Sequence, residues 1–238
     1  MAFDGITIAN IVTELNQTIT GGKINKIAQP ESDCFIATQF PQSLNTEDTI
    51  SHRRTHMEYL DIVDEQGQPT GEIVSRTFAH TKGIRHRTAH IWIVRRENEH
   101  FQVLMQKRAM SKDSFPGKYD TSSAGHIQAG DEPLASGLRE LAEELGIHAK
   151  PEDLEFAGCI HGNFAEEFHR KIFRDNEIAF VYIYQQPVDI ETLVLQKEEV
   201  ESVRWFDLEE TYQNCRNRNT QFCAPVPGLE VVRQYLYS

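Results

Sequence analysis

Apolar positions follow two rhythms from residue 57 onward. Period-two runs predict strands: "MEYLDIVD" and "GEIVSRTF" flank the polar turn "EQGQPTG" as a hairpin. "TAHIWIVRR", "FQVLMQKR", "DLEFAGCI", "NEIAFVYIYQQ" and "VESVRWFD" predict further strands. A helical rhythm governs "EPLASGLRELAEELG", where Leu134, Leu138, Leu141 and Leu145 form one stripe. Pro133 suits the first turn of that helix and Gly146 ends it. "LEETYQNC" and "GLEVVRQYLY" predict two more helices, and "SKDSFPGKYD" a loop. Strands and helices interleave, so the domain is expected to be α/β.

The first 56 residues have a different texture. In "ITIANIVTELNQTI", Ile6, Ile8, Ile11, Val12, Leu15 and Ile19 lie near helical spacing, and Gly21-Gly22 stops the run. "KINKIAQPESDCFIATQF" predicts two short strands around a turn at Pro30. "PQSLNTEDTISHRRTH" is polar and aperiodic, as a linker is. The expected organisation is an appendage over 1–40, a linker over 41–56 and a main domain over 57–238.

Composition narrows the partners. The chain has 238 residues, 39% of them hydrophobic, which is enough for a sizeable core. A formal net charge of −12 argues against nucleic acid and anionic membranes, both of which need a basic face. An anionic substrate would need a local positive site or a metal ion. Cys34, Cys159, Cys215 and Cys223 have neither C-x-x-C nor zinc spacing, and read as reduced thiols of a cytoplasmic protein. No apolar run approaches a membrane span, and the N-terminus has no signal-peptide pattern.

The chemistry concentrates in the long helix. Glu140, Glu143 and Glu144 fall at i, i+3 and i+4, on one face and away from the leucines. Like charges at that spacing destabilise a helix by roughly 0.2–0.5 kcal/mol per pair. A hard divalent cation converts that repulsion into attraction, and Arg139 can fix one carboxylate through its forked donors. By composition alone, a solvated acidic face accounts for the same residues.

The spacing around the helix decides between the two. The string Gly125-x5-Asp131-x7-Arg139-Glu140-Leu141-x-Glu143-Glu144-x-Gly146-Ile147 resembles the Nudix box, G-x5-E-x7-R-E-U-x-E-E-x-G-U. Only Asp131 departs, standing where the family has glutamate. The resemblance implies an α/β/α sandwich with a mixed sheet. It also implies Mg²⁺- or Mn²⁺-dependent hydrolysis of a diphosphate linkage in a small metabolite. Glu140, Glu143 and Glu144 would hold metal, Glu143, Glu144 and Arg139 would serve catalysis, and Gly125, Asp131 and Gly146 would support the box. Homodimers are frequent in such proteins.

A second resemblance covers 57 to about 210. "LDIVDEQGQPTGEIVSRTFAHT", "IRHRTAHIWIV" and "MQKRAMSKDSFPGKYDTSSAGHIQAG" look like the isopentenyl-diphosphate isomerase-like branch of the superfamily. By that likeness His80, His86, His126, Asp175 and Glu177 would form a metal site, and Arg76, Arg108 and Lys112 would hold diphosphate. The His80–His86 spacing is one residue short, and Asp175 replaces a glutamate. Ala124 stands where the isomerase has a cysteine, which removes one partner of its proton shuttle. The full box together with the missing cysteine points to a hydrolase. A catalytically silent binding module, or isomerase-like activity, is the alternative. His90, His148, His161, His169 and Trp205 read as structural or surface residues. Residues 1–33 resemble the start of the NFACT family, a fragment too short to carry over a function or to fold on its own.

Overall fold

The computed structural model describes residues 24–31, 34–39 and 58–238. The chain divides into two compact units, 1–56 and 57–238. In the first unit β1 (Ile24–Glu31) pairs antiparallel with β2 (Cys34–Gln39). Two strands were expected there. Pro30 lies inside β1, however, at an irregularity of the pairing between Ala28 and Glu31, and the strands meet at Glu31 and Cys34. The expected N-terminal helix and linker lie outside the described residues.

The second unit opens with the hairpin β3 (Tyr59–Val63) and β4 (Pro69–Ser75). The stretch "RTF" that follows is not strand. The Ser75 hydroxyl accepts a hydrogen bond from the Phe78 amide at 3.4 Å and starts α1 (Arg76–Lys82), which Gly83 closes at φ 71°. Seven residues are too few to show a helical period.

The main sheet runs β11-β6-β5-β10-β9, with β7 beside β6 and β8 beside β5. Its strands are β5 (His86–Glu97), β6 (His100–Arg108), β7 (Tyr119–Asp120), β8 (Ser123–His126), β9 (Leu154–Phe168), β10 (Lys171–Tyr184) and β11 (Val200–Asp207). β5 changes partners along its length. Residues 86–93 run parallel to β10, and residues 94–97 run antiparallel to β6. β9 and β10 outrun the sheet as one hairpin through 161–176, beyond the strand expected at "DLEFAGCI" and ahead of the one expected at "NEIAFVYIYQQ". Much of that extension faces water, so it carries no inside-outside alternation to read.

Helices cover both faces. On one side α2 (Pro133–Leu145) buries Leu141 and Leu145 against Ile91, Ile93 and Leu104. Each such leucine contributes about 1.5–3 kcal/mol relative to exposure. Gly137 lets the helix lie close to Ala89 and Ile91, and Gly146 caps it at φ 70°. On the other side α3 (Leu208–Arg216) and α4 (Val226–Tyr237) cover Trp92, Val94, Val103, Met105, Val181 and Ile183. The alternation along β5 thus divides the two cores. Trp205 packs at the edge of the α2 side with the Arg95 guanidinium 4.3 Å from its ring centroid, consistent with the structural reading.

A buried ion pair ties the hairpin to the loop ahead of α2. Arg87 donates to Asp61 Oδ2 at 2.8 Å and to the Asp131 carbonyl at 3.1 Å, and the Gly130 amide donates to the same Asp61 oxygen at 3.0 Å. Both side chains are almost fully buried. Among the described residues, no helix is long and apolar enough to cross a membrane. Cys159, Cys215 and Cys223 are free thiols.

Candidate active site

Glu140, Glu143 and Glu144 project from α2 into a cleft of about 360 Å³. Glu144 is buried; its Oε2 accepts from the Ala124 amide at 3.2 Å and from Gln106 Nε2 at 3.4 Å. Arg139 holds Glu140 at 3.0 Å and donates to the His126 carbonyl at 3.2 Å. It therefore links the helix to β8. Burial pushes Glu144 up to about 8, and the Glu140 charge adds to the effect. Burial pushes Glu140 up to about 7, opposed by Arg139 and reinforced by Glu143. The mutual repulsion anticipated from the spacing is thus present in the fold, and a bound cation would relieve it.

Gly125 is required by this packing. A Cβ there would lie 2.2 Å from Glu140 Cδ and 2.5 Å from its Oε2. The Gly125→Ala protein is therefore expected to fold with Glu140 displaced. A misplacement near 1 Å can cost on the order of 10²-fold in rate. Steady-state hydrolysis alongside a thermal melt checks this; an unaltered rate would show that the position of Glu140 is immaterial.

β8 pairs with β5, Thr88 opposite His126, Ala89 opposite Gly125 and His90 opposite Ala124. His126 therefore shares a face with His86, Thr88 and His90, while Gly125 lies on the α2 face. The cleft wraps around β8 and brings a second donor set to meet the glutamates. His80, His86 and His126 form one group and His86, Asp175 and Glu177 another, each offering atoms within 4.8 Å of one another.

The Nδ1 atoms of two of these imidazoles meet main-chain acceptors, that of His80 lying also 3.6 Å from Asp175 Oδ1. His86 Nδ1 lies 2.9 Å from the Ile84 carbonyl and His80 Nδ1 3.4 Å from the Arg174 carbonyl. A carbonyl only accepts, so each Nδ1 carries the proton and each Nε2 is a free lone pair. Yet His80 Nε2 and His126 Nε2 stand 3.0 Å apart. His86 Nε2 and Asp175 Oδ1, 3.6 Å apart and buried, have no hydrogen-bond partner among the described residues. Converging lone pairs and an orphaned carboxylate oxygen fit a divalent cation. Burial, with the neighbouring His86, drives His80 down to about 3. Burial also lowers His86, and with the Arg76 charge it holds His126 far below the usual range. Burial and close negative neighbours raise Asp175 and Glu177 to about 7.

These shifts predict a pH signature for metal-free protein. The lowered histidines stabilise the fold progressively as pH rises towards their unfolded value near 6.5. The raised carboxylates, with Glu58 also pushed up by burial, act the other way: they bind protons in the folded state that the unfolded chain has already released. Between about pH 6.5 and 8 only the carboxylates still titrate, so stability in EDTA is expected to fall across that window. Added metal should recover more stability at pH 8 than at pH 6. Melting temperatures at both pH values, with and without Mn²⁺, measure this.

The sequence-derived cations line the same cleft, with different commitments. Arg108 is bound to Asp120 at 2.9 Å and to Ser114, and Lys112 pairs with Glu199. Arg76 is looser, 42% exposed and 3.6 Å from Glu58. Asp131 reaches Arg87 through its carbonyl. Glu58, Asp120, Glu199, Phe164 and Phe173 also line the cleft and escaped sequence reasoning. His90, expected to be a structural or surface residue, is buried and lines the cleft instead, with its Nε2 3.6 Å from Glu177; its signal was the period of two from His86.

A NUDIX domain model matches residues 84–222. An uncharacterised Nudix hydrolase of Clostridium acetobutylicum is 42% identical over 153 residues, covering 64% of this chain and 71% of that protein. Nudix hydrolase 3 of Arabidopsis thaliana is 37% identical over 175 residues, 71% of this chain but 21% of the plant protein. A crystal structure from Deinococcus radiodurans superposes with a TM-score of 0.53 at 19% identity, over 75% of this chain and 99% of its own, and shares the fold. The chain belongs to the Nudix family. It is a hydrolase acting on pyrophosphate bonds.

Proposed function

We propose that the chain is a Mg²⁺- or Mn²⁺-dependent hydrolase of a small organic diphosphate, with no role for nucleic acid or membrane. The observation that carries this reading is the meeting of two donor sets, the box glutamates and the His/Asp/Glu group, in one cleft. Bound metal supplies charge that neutralises phosphate oxygens and acidifies water. Glu140, Glu143 and Glu144 would hold that ion, and Glu144 would take the proton from the attacking water. Arg139 fixes Glu140 in place. Arg76, the least committed cation, binds the diphosphate, assisted by Arg108 and Lys112 at the rim. Phe115, Phe164, Phe168 and Phe173 make a chain of ring contacts beside the cleft and seat the organic half.

The likeness to the isomerase branch supports His80, His86, His126, Asp175 and Glu177 as a second metal position. It does not favour isomerase chemistry, because Ala124 has no proton to exchange. A silent binding module would bind ligand without metal and ignore loss of the glutamates. Phosphate release from nucleoside diphosphate sugars, dinucleotides, nucleoside triphosphates, thiamine diphosphate and isopentenyl diphosphate, with metal and with EDTA, tests the function. Release abolished by EDTA is expected. Silence across the panel from folded, metal-loaded protein would favour the binding module. We also read 57–238 as the catalytic domain: limited proteolysis between about 35 and 56 should leave an active remainder.

A further inference from the structure

We infer that Glu58 is a positioning residue for the histidine site, holding His126 so that its Nε2 turns inward. This rests on the reading of His80, His86 and His126 as metal ligands. Each needs its Nδ1–H engaged outside the site, because that engagement fixes which nitrogen is offered and how the ring points. For His86 and His80 the acceptors are the carbonyls of Ile84 and Arg174. His126 has no such carbonyl contact at Nδ1 among its described hydrogen bonds. The group facing that nitrogen is the Glu58 carboxylate, with Oε1 at 3.8 Å. That is longer than a hydrogen bond, a gap that one bridging water or a small torsion closes. The other carboxylate oxygen lies 3.6 Å from Arg76 Nε, so the guanidinium orients the carboxylate in turn.

The consequence goes beyond the box. Glu58, Arg76 and His80 all precede residues 84–222, the stretch that matches the family model. The hairpin segment therefore supplies a ligand, its neighbour's anchor and a diphosphate cation. A carboxylate anchor also makes the imidazole a better donor than a carbonyl does, so His126 should be the strongest ligand of the three.

Cobalt(II) titration of the full chain, followed by its visible absorption, tests this apart from catalysis. Wild type should give a band that His86→Ala abolishes; a missing band, or one that survives His86→Ala, would sink the metal reading itself. With that band assigned, Glu58→Ala should weaken cobalt binding about 10–100-fold. Glu58→Gln, which keeps an acceptor, should stay close to wild type. Glu58→Leu, of similar bulk and with no acceptor, should repeat the loss seen with alanine. Unchanged affinity in both the Ala and Leu proteins, with the band intact, would overturn the role of Glu58 and leave the metal site standing.

Discussion

Glu144→Gln should lower the turnover of the best diphosphate by about 10²–10⁴-fold, the usual contribution of a positioned general base. That corresponds to roughly 3–5.5 kcal/mol of transition-state stabilisation. The amide keeps the shape of the side chain and an oxygen for the Ala124 amide to donate to. It loses the charge and the ability to take a proton. The fold should survive, since burial already disfavours the ionised carboxyl. Turnover under saturating metal, with a melt as control, decides the matter; a rate equal to wild type would remove Glu144 from the chemistry. A loss confined to KM would instead make it a ground-state ligand.

Arg87→Met should cost about 3–5 kcal/mol of stability, the range for breaking a buried pair from one side. The substitution leaves the Asp61 carboxylate buried with the Gly130 amide and removes the donor to the Asp131 carbonyl. The methionine stem replaces the packing, so the effect isolates the uncompensated charge. Replacing both partners, Asp61→Leu with Arg87→Met, should recover most of the loss. Urea denaturation of the two variants measures it. Equal stability of wild type and Arg87→Met would mean that water reaches Asp61 and compensates it.

The main framework was readable because its signals are periodic. The stripe from Leu134 to Leu145 and the Gly146 stop set out α2 in the sequence, and Gly125, marked there only as a support of the box, lies under Glu140 in the fold. α1 was not readable, because its helical character rests on one serine cap and seven residues. The extended β9–β10 hairpin was missed because water reaches much of it and leaves no alternation. His90 reads as a structural or surface residue by itself, and its place in the cleft follows only from sharing the parity of His86 and Thr88. Glu58 was not legible: its partners Arg76 and His126 meet it only after three separate strands and a helix have packed. Individual histidines resemble surface residues in a sequence, and only the convergence of their Nε2 atoms distinguishes them.

β5 carries Thr88 and His90 into the cleft, with His86 buried behind them on the same parity, and continues into Trp92 and Val94 of the α3/α4 core. Slippage by a single residue would point the imidazoles at α2 and bring Ile91 and Ile93 into the cleft. Correct registration of this strand and assembly of the reaction centre are consequently one event. The hydrophobic sorting that makes the domain fold also proofreads its chemistry, so a mispaired chain is inert rather than partly active.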